Sequence, residues 1–514
     1  MRKSLSLVIA VALLSACKSN DPATAAYWMD RLEKRDQRDD AIKQLGKMKA
    51  KEAVPALTRL LKQEGDWQPD AAWALGEIGD ASVVATLIDG IDYQVGTSND
   101  RKARNKHRIN ANTVRALASL KAKDSVKAML KLMDSTSEPT VREACLRAMG
   151  SLGNFEVTSR LTDVALNDRE PYLRKVAIQA LGELRDPAAI PTLVKMLFIE
   201  LPGISFYNEA RLSLIQMGEA AVPALVKTMK RENKDVESIR LGDGGLIGEG
   251  AIEAKAGSVL GYLKAVSAEP LMVEAVNKLW KQFKSRDDSK PVFASIPGAI
   301  IEFCYSLGAL GSMGSAKTLT AIAVDPEMVT RVGASEALTQ IGDRSAVKPL
   351  LDAAKKGNLD SRKAVLTAIS RLGDGTELTA FDALAKTGDK TVPNNVLSEI
   401  IKGERVRLVA AGDCKSDLAC WRGKLADQDP RVRDRAVWQL GWTGDKAVFD
   451  DMLKAAQDND PMVRMAAVLS LRRIADPDLV KLKELSEGWS KRLDYQMVNM
   501  EIQRLIALVE SRRK

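Results

Sequence analysis

The chain has 514 residues and a formal net charge of +9, from 77 basic and 68 acidic side chains. Its 45% hydrophobic content is typical of a folded protein, and an aromatic content of only 4% favours packed helices over sheets. The single histidine, His107, excludes zinc sites built from several histidines, and any Ser–His–Asp or Cys–His scheme would depend on it. We therefore predict no catalytic residues, no metal site and no enzymatic activity.

The first residues have the pattern of an export signal. Arg2 and Lys3 precede ten apolar residues at 5–14, whereas a membrane-spanning helix needs about 20. The following Leu14-Ser15-Ala16-Cys17 resembles the processing signal of bacterial lipoproteins. The resemblance implies cleavage before Cys17 and acylation of Cys17, with palmitate among the chains, as the only attached group. The alternative is an ordinary signal peptide with a chance cysteine near its cleavage site.

The residue after Cys17 bears on the cellular location. It is Lys18, and in the enterobacterial sorting pattern a residue other than aspartate here implies the outer membrane. We therefore expect a protein held by its lipid in the bacterial outer membrane, facing the periplasm or the cell surface.

The body of the chain repeats with a period near 31 residues. The segment 429–433 (DPRVR) recurs at 460–464 (DPMVR), and 139–142 (PTVR) recurs at 171–174 (PYLR). Aspartate favours a helix N-cap and proline the first helical position, while the apolar spacing after them is helical. Gly-Asp pairs then end the first helix. The pattern predicts a helix pair in every repeat.

Three segments carry a family resemblance: 180–193 (ALGELRDPAAIPTL), 74–80 (ALGEIGD) and 337–347 (ALTQIGDRSAV). They resemble HEAT repeats, especially the short bacterial type related to phycobilin-lyase repeats. The resemblance implies an all-α fold, an α-solenoid in which antiparallel helix pairs stack into a right-handed superhelix of about thirteen repeats.

The repeat spacing also predicts the domain organisation. In chain order we expect a signal peptide at 1–16, a lipidated cysteine, tether and N-terminal helix at 17–35, repeats at 36–235 with a basic insertion at 99–110, repeats at 236–389 with inserts near 241–250 and 285–297, an irregular repeat with a cysteine pair at 390–428, repeats at 429–493, and a capping helix with a basic tail at 494–514.

The insertions are the places where this array departs from its period. We interpret 99–110 as a solvated loop in which His107 is exposed, the Gly-rich 241–250 as a flexible loop without P-loop spacing, and 285–297 as a connector. The alternative for the first is a contact patch for phosphate-bearing head groups, acidic glycans or an acidic protein surface. Its members are Arg101, Lys102, Arg104, Lys106 and Arg108.

Four cysteines follow Cys17. Cys145 and Cys304 occupy apolar helix positions and are expected to be buried thiols. Cys414 and Cys420 flank a predicted turn, and an exported protein resides where disulfides persist, so we predict a bond between them.

These features favour a function in binding. We predict a monomeric, membrane-anchored scaffold that mediates protein–protein interaction in the bacterial cell envelope, with an assembly or chaperone-like role. The alternative is a bilin-lyase-like enzyme acting on a tetrapyrrole and a partner protein. We expect no nucleic-acid partner, because the positive excess of the mature chain lies in 101–108 and the C-terminal tail, and no aromatic residue lies between Tyr93 and Phe155.

Overall fold

The computed structural model describes residues 21–96, 100–241, 244–285, 295–325 and 328–513. Across these ranges the chain is almost entirely helical, and the only sheet in them is a hairpin of β1 (Glu200–Leu201) and β2 (Ile204–Ser205). The predicted all-α solenoid class is therefore confirmed. The chain divides into two compact units, unit 1 ending at Ala189 and unit 2 beginning at Ile190.

Unit 1 contains ten α-helices within the described residues. They are α1 (Ala25–Arg31), α2 (Arg38–Lys47), α3 (Val54–Lys62), α4 (Gln68–Ile78), α5 (Val84–Asp89), α6 (Arg101–Ser119), α7 (Val126–Ser135), α8 (Pro139–Leu152), α9 (Thr158–Asn167) and α10 (Pro171–Leu184).

Unit 2 continues the same alternation. Its helices are α11 (Ile190–Met196), α12 (Tyr207–Met217), α13 (Val222–Met229), α14 (Lys234–Glu237), α15 (Ala251–Tyr262), α16 (Glu269–Lys284), α17 (Ile296–Leu310), α18 (Ala316–Val324), α19 (Met328–Ile341), α20 (Val347–Ala353), α21 (Leu359–Leu372), α22 (Leu378–Ala383), α23 (Asn394–Cys414), α24 (Leu418–Lys424), α25 (Pro430–Gly441), α26 (Phe449–Ala455), α27 (Pro461–Leu471), α28 (Leu479–Trp489) and α29 (Gln496–Arg512).

One helix of each repeat packs against the corresponding helix of the next, and we call this series the primary row. In unit 1 it consists of α2, α4, α6, α8 and α10, and in unit 2 of α12, α15, α17, α19, α21, α23, α25, α27 and α29. Small residues permit the close approach, since a Cβ on Gly150 would lie 2.7 Å from Cα of Ala180. Aspartates begin the helices as predicted: the Asp429 carboxylate accepts the Arg431 amide at 2.8 Å.

The turn after a primary helix takes a left-handed residue. Gly153 (φ 66°) and Gly311 (φ 73°) supply it without steric cost. Lysines occupy the same turn position in three other repeats: Lys49 at φ 52°, Lys121 at φ 53° and Lys264 at φ 59°. A side chain is unfavourable in this region, so these lysines carry local backbone strain.

The primary row of unit 2 returns to its starting point. The last helix, α29, packs against α12 as well as against α27 and α28. The approach is tight, because a Cβ on Gly218, just after α12, would lie 2.9 Å from the Cβ of Ser511. Contacts also cross the ring: Trp442 Nε1 donates to the Thr339 carbonyl at 2.9 Å, and Arg473 Nη1 donates to the Gln340 carbonyl at 2.8 Å.

Three successive primary helices of unit 2, α21, α23 and α25, bury charged side chains between them. Asp434 is fully buried and accepts hydrogen bonds at 2.9 Å from both Arg371 and Arg407. Arg407 also pairs with Glu404, which accepts a hydrogen bond from Ser370 Oγ at 2.7 Å. Although burial opposes ionisation of Asp434, the two guanidinium groups outweigh it and lower its pKa. The network is therefore an ionised cluster inside the unit.

The structure corrects the interpretation of the basic insertion. Residues 101–119 form helix α6 rather than a loop, and His107, expected to be exposed, is buried with a relative exposure of 9%. The buried side of α6 carries Ala103, His107 and Ala111, at the four-residue spacing of a helix face. His107 is thus a core residue of unit 1.

The other two inserts are only partly described. In the Gly-rich segment, residues 242 and 243 lie outside the described ranges, and Arg240 forms an isolated bridge with Leu246. Most of 285–297 also lies outside them. None of the helices in the described ranges has both the length and the apolar character needed to cross a membrane.

Candidate functional site

An open groove of about 520 Å³ lies in unit 1 beside the N-terminal half of α6. One wall is the segment between α3 and α4, and the other is α6 with the segment that follows α5. We call it the mixed-charge groove, and its charged and amide lining residues are Lys62, Glu64, Asp66, Gln68, Asp92, Arg101, Lys102, Asn105, Lys106 and Asn110.

The structure places the predicted basic patch in and beside this groove, opposite carboxylates. Lys106 Nζ lies 2.6 Å from Asp92 Oδ2, and Lys102 Nζ lies 3.1 Å from Glu64 Oε1. The remaining members are distributed as follows: Arg101 pairs with Asp66, Arg108 lies 3.9 Å from Asp70, and Arg104 is exposed. At least four of the five cations therefore face an acid, and the surface is not a field of one sign.

Hydrogen bonds hold the groove walls in position. Asn110 is buried, and its amide both accepts from the Asp92 backbone N–H at 3.0 Å and donates to the Asp92 carbonyl at 2.8 Å. On the other wall, Asn105 Nδ2 donates to the Gly65 carbonyl at 3.2 Å. The hydrogen bond from Lys106 lowers the pKa of Asp92, and the same bond raises the pKa of Lys106. The pair therefore stays charged across the neutral range.

A second polar feature runs along the primary row of unit 1. Glu143 on α8 accepts hydrogen bonds from Arg147 Nε at 2.8 Å and from the hydroxyl of Tyr172, on α10, at 2.7 Å. On α6, Arg115 donates to Asn112 Oδ1 at 2.9 Å, and Asn112 donates to the Pro69 carbonyl of α4 at 2.8 Å. We call this series the polar ladder; its members are Asp70, Arg108, Asn112, Arg115, Glu143, Arg147, Tyr172 and Gln179.

The ladder is ordered and yet accessible. Tyr172 is 52% exposed, and Arg115 and Arg147 are exposed as well. Partial burial opposes ionisation of Glu143, but the hydrogen bonds from Arg147 and Tyr172 outweigh it and lower its pKa. Sequence reasoning missed this feature, because its members lie in four different repeats and each resembles ordinary helix-surface polarity.

Sequence comparisons agree with the helix-pair architecture. The family described as HEAT repeats matches residues 101–167, 158–240 and 422–491, and the PBS lyase HEAT-like repeat matches 37–63 and 70–93. This chain is a HEAT-repeat protein. No curated protein sequence matches it.

Solved structures also resemble this HEAT-repeat protein. The CpcE–CpcF phycocyanin lyase of Nostoc is 23% identical over 47% of this chain and 89% of its own, with a TM-score of 0.29. Importin beta is 11% identical over 91% of this chain and 70% of its own, with a TM-score of 0.45. Human deoxyhypusine hydroxylase is 20% identical over 58% of this chain and 98% of its own, with a TM-score of 0.22. These likenesses concern the fold alone.

The cysteines of this HEAT-repeat protein occupy three kinds of position. Cys17 lies outside the described residues. Cys414, at the end of α23, is joined by a disulfide to Cys420 in the first turn of α24, with their Cα atoms 5.4 Å apart. Cys145 and Cys304 are buried free thiols, and burial raises the pKa of each to about 12. Such thiols are poor nucleophiles.

Two local interactions support the disulfide loop. The Asp417 carboxylate accepts the amides of Ala419 and Cys420 at 2.9 and 3.3 Å, which begins α24. Trp421 is fully buried, and its Nε1 donates to the Lys415 carbonyl at 2.9 Å. Over the part of the chain that is described, no group of three or more His, Cys, Asp or Glu side chains is arranged to hold a metal ion.

Proposed function

We propose that this HEAT-repeat protein is a membrane-anchored scaffold that binds another protein of the bacterial cell envelope through the polar ladder. The observation that supports this most is that the ladder crosses four consecutive primary helices while its side chains are already held by mutual hydrogen bonds. Side chains ordered before binding lose little conformational entropy when a partner arrives. An assembly or chaperone-like role falls under the same proposal.

The composition of the ladder suits protein recognition. Tyrosine and arginine contribute most often to the energetic centre of protein interfaces. Tyr172, Arg147 and Arg115 supply both residue types on one edge, with Glu143 among them. A partner surface with carboxylates spaced to meet Arg115 and Arg147 is the chemistry that this edge fits, because Glu143 alone cannot neutralise both.

Cross-linking in intact cells tests the binding surface. A photoreactive phenylalanine derivative at Tyr172 should give a cross-linked partner after pull-down through a C-terminal tag. The matched control is the same substitution at Phe155, which is 53% exposed and lies on the turn after α8 rather than on the ladder. Equal adducts at both positions, or none at Tyr172, would contradict the proposal.

The membrane anchor rests on the sequence pattern at Leu14-Ser15-Ala16-Cys17. Acyl chains attached at Cys17 would retain the protein at the membrane, since each buried CH₂ group contributes about 0.8 kcal/mol. We expect Cys17→Ser to abolish acylation and to release the protein from the membrane fraction. A Cys17→Ser protein that remains membrane-bound and acylated would refute the anchor but leave the ladder proposal standing.

The match of residues 37–63 and 70–93 to the PBS lyase HEAT-like repeat favours the bilin-lyase alternative as the second candidate. It predicts a coloured or fluorescent adduct on a partner protein when both are produced together with a bilin. Colourless partner protein under those conditions would remove this candidate.

A further inference from the structure

Several primary helices of unit 2 end close together, and basic side chains gather where they do. We call Lys264, Arg472, Arg473 and Arg512 the cation cluster. Lys264, just after α15, donates from Nζ to the Leu310 carbonyl at the end of α17, at 3.2 Å. A Cβ on Gly311 would lie 3.4 Å from Lys264 Nζ and 3.5 Å from Arg473 Nη1, so both cations border the same space beside this glycine.

The positive charge of the cluster is poorly balanced. Burial, followed by Arg472, Arg473 and Arg512, lowers the pKa of Lys264 well below its ordinary value. The nearby Glu501 is already engaged, pairing with Arg504 and lying 3.4 Å from Arg472. The carbonyls that Lys264 and Arg473 contact lie at the C-terminal ends of helices. Each such end carries a partial negative charge of only about half an elementary charge. The four formal positive charges exceed what these groups offset.

Two donors of the cluster also lack acceptors. Among the described residues, Arg472 Nη2 and Arg473 Nε are buried and have no hydrogen-bond partner. Arg472 is only 8% exposed, so its unmet donor is shielded from bulk water. A guanidinium nitrogen in such a position favours an anionic oxygen.

The backbone at Lys264 is also strained. Lys264 has a φ of 59°, at a turn position that glycine occupies after α8, α17 and α19, at Gly153, Gly311 and Gly342. Glycine would relieve the strain here, and it would also remove an uncompensated cation. Because Lys121 of unit 1 has the same turn conformation, the charge repulsion rather than the strain distinguishes Lys264.

We propose that the cation cluster binds a phosphate-type oxyanion. A doubly charged tetrahedral anion would neutralise the excess charge, and its oxygens would accept from the unpartnered arginine donors. Arg512 is exposed and Lys264 and Arg473 are partly exposed, so the cluster has access from solvent. Free phosphate and the phosphate monoester of phosphatidic acid share this chemistry. The inference does not depend on the scaffold proposal, because none of its residues belongs to the ladder.

Titration with inorganic phosphate tests the site. In the full-length Cys17→Ser protein, with ionic strength held constant by chloride, we expect one saturable site by calorimetry and a rise in Tm. Lys264→Gly should weaken phosphate binding at least tenfold while raising the Tm of the phosphate-free protein. Lys264→Gln removes the charge but retains a side chain in the strained turn, so it should weaken binding similarly with a smaller rise in Tm.

Lys121→Gly is the matched control, because Lys121 has the same turn position and a φ of 53° but lies in unit 1. It should leave phosphate affinity unchanged. Vesicles containing phosphatidic acid, compared with phosphatidylcholine vesicles, distinguish the source: retention that depends on Lys264 indicates a lipid phosphate, and binding of inorganic phosphate alone indicates a soluble one. Absence of saturable binding to either, or equal affinity in Lys264→Gly, would overturn the proposal.

Discussion

The two units are built from the same repeat, but they differ in where the polar side chains of the primary row lie. In unit 1, Glu143, Arg147 and Tyr172 bond to one another at an edge that remains open to water. In unit 2, Asp434 and Arg407 are instead fully buried between neighbouring primary helices. Buried charges have lost their hydration and depend on their partners, whereas exposed pairs are screened by solvent. Breaking a buried ion pair of unit 2 should therefore lower the unfolding free energy far more than breaking an exposed pair.

The strongest test of this difference is Asp434→Ala. Removing this carboxylate leaves Arg371 and Arg407 buried without their common acceptor, and breaking such a cluster costs about 3–5 kcal/mol. Denaturant unfolding should show this loss. The matched control is Asp382→Ala, whose carboxylate lies 3.0 Å from Arg405 in a pair that is about half exposed on both sides. Asp382→Ala should lower the unfolding free energy by less than about 1 kcal/mol. Similar losses in both variants would contradict the expected difference between buried and exposed ion pairs.

A second test concerns the helix packing on which both units depend. Gly150→Ala would place a methyl group 2.7 Å from Cα of Ala180, so we expect a loss of about 1–3 kcal/mol from overpacking, although alanine is the better helix former. Gly488→Ala, in the last turn of α28 with open space around it, should instead gain less than about 1 kcal/mol. Thermal unfolding of the two variants measures the opposite signs; a gain at both would show that the primary helices have room to separate.

The ladder should contribute little to stability. Glu143→Ala removes the acceptor of two hydrogen bonds, but Arg147 and Tyr172 are exposed and regain water as their partner. We expect a change in unfolding free energy of less than about 1 kcal/mol. In the same variant, the cross-link from position 172 to the partner should be lost. A large loss of stability would assign the ladder to the fold rather than to binding.

The smallest expected effect is on the pH dependence of the mixed-charge groove. The lowered pKa of Asp92 means that its contribution is present above the ordinary aspartate range and is lost as the pH falls through the lowered value. The raised pKa of Lys106 means that its contribution persists until the pH rises above the ordinary lysine range. The unfolding free energy should be measured against pH for wild type and Asp92→Asn. The two curves should converge at acid pH and differ by less than about 1 kcal/mol at neutral pH. Curves that diverge at acid pH would contradict the claim that charged Asp92 stabilises the groove.

Features encoded within one repeat could be predicted from the sequence. Two kinds of local signal indicate the helix pairs: the Asp-Pro helix starts at 429–430 and 460–461, and the small residues at the turns. The structure contains the helix pairs that these signals indicate. The predicted exposure of His107 is wrong, because the surrounding cations suggest a solvated loop. The spacing of Ala103, His107 and Ala111 is nevertheless that of a buried helix face. The neutralising partners of those cations, Glu64 and Asp66, lie far away in the sequence.

Features that join distant repeats could not be predicted. Tyr262 contacts Glu501 through a 3.1 Å hydrogen bond, and Trp442 reaches the carbonyl of Thr339, both across long stretches of chain. A repeat period describes how each helix pair meets the next, but it contains no information on whether the last pair meets the first. The ring of unit 2 and the cation cluster therefore required the structure.

The contact between α29 and α12 also has a consequence for the order of biosynthesis. Helix α12 is made early in the synthesis of unit 2, but α29, which packs against it, is made much later. At typical synthesis rates of 5–20 residues per second, roughly 15–60 s separate the two helices. During that interval the nascent unit exposes an unpaired helix face, so the final step of its folding is a long-range closure rather than the addition of one more neighbour.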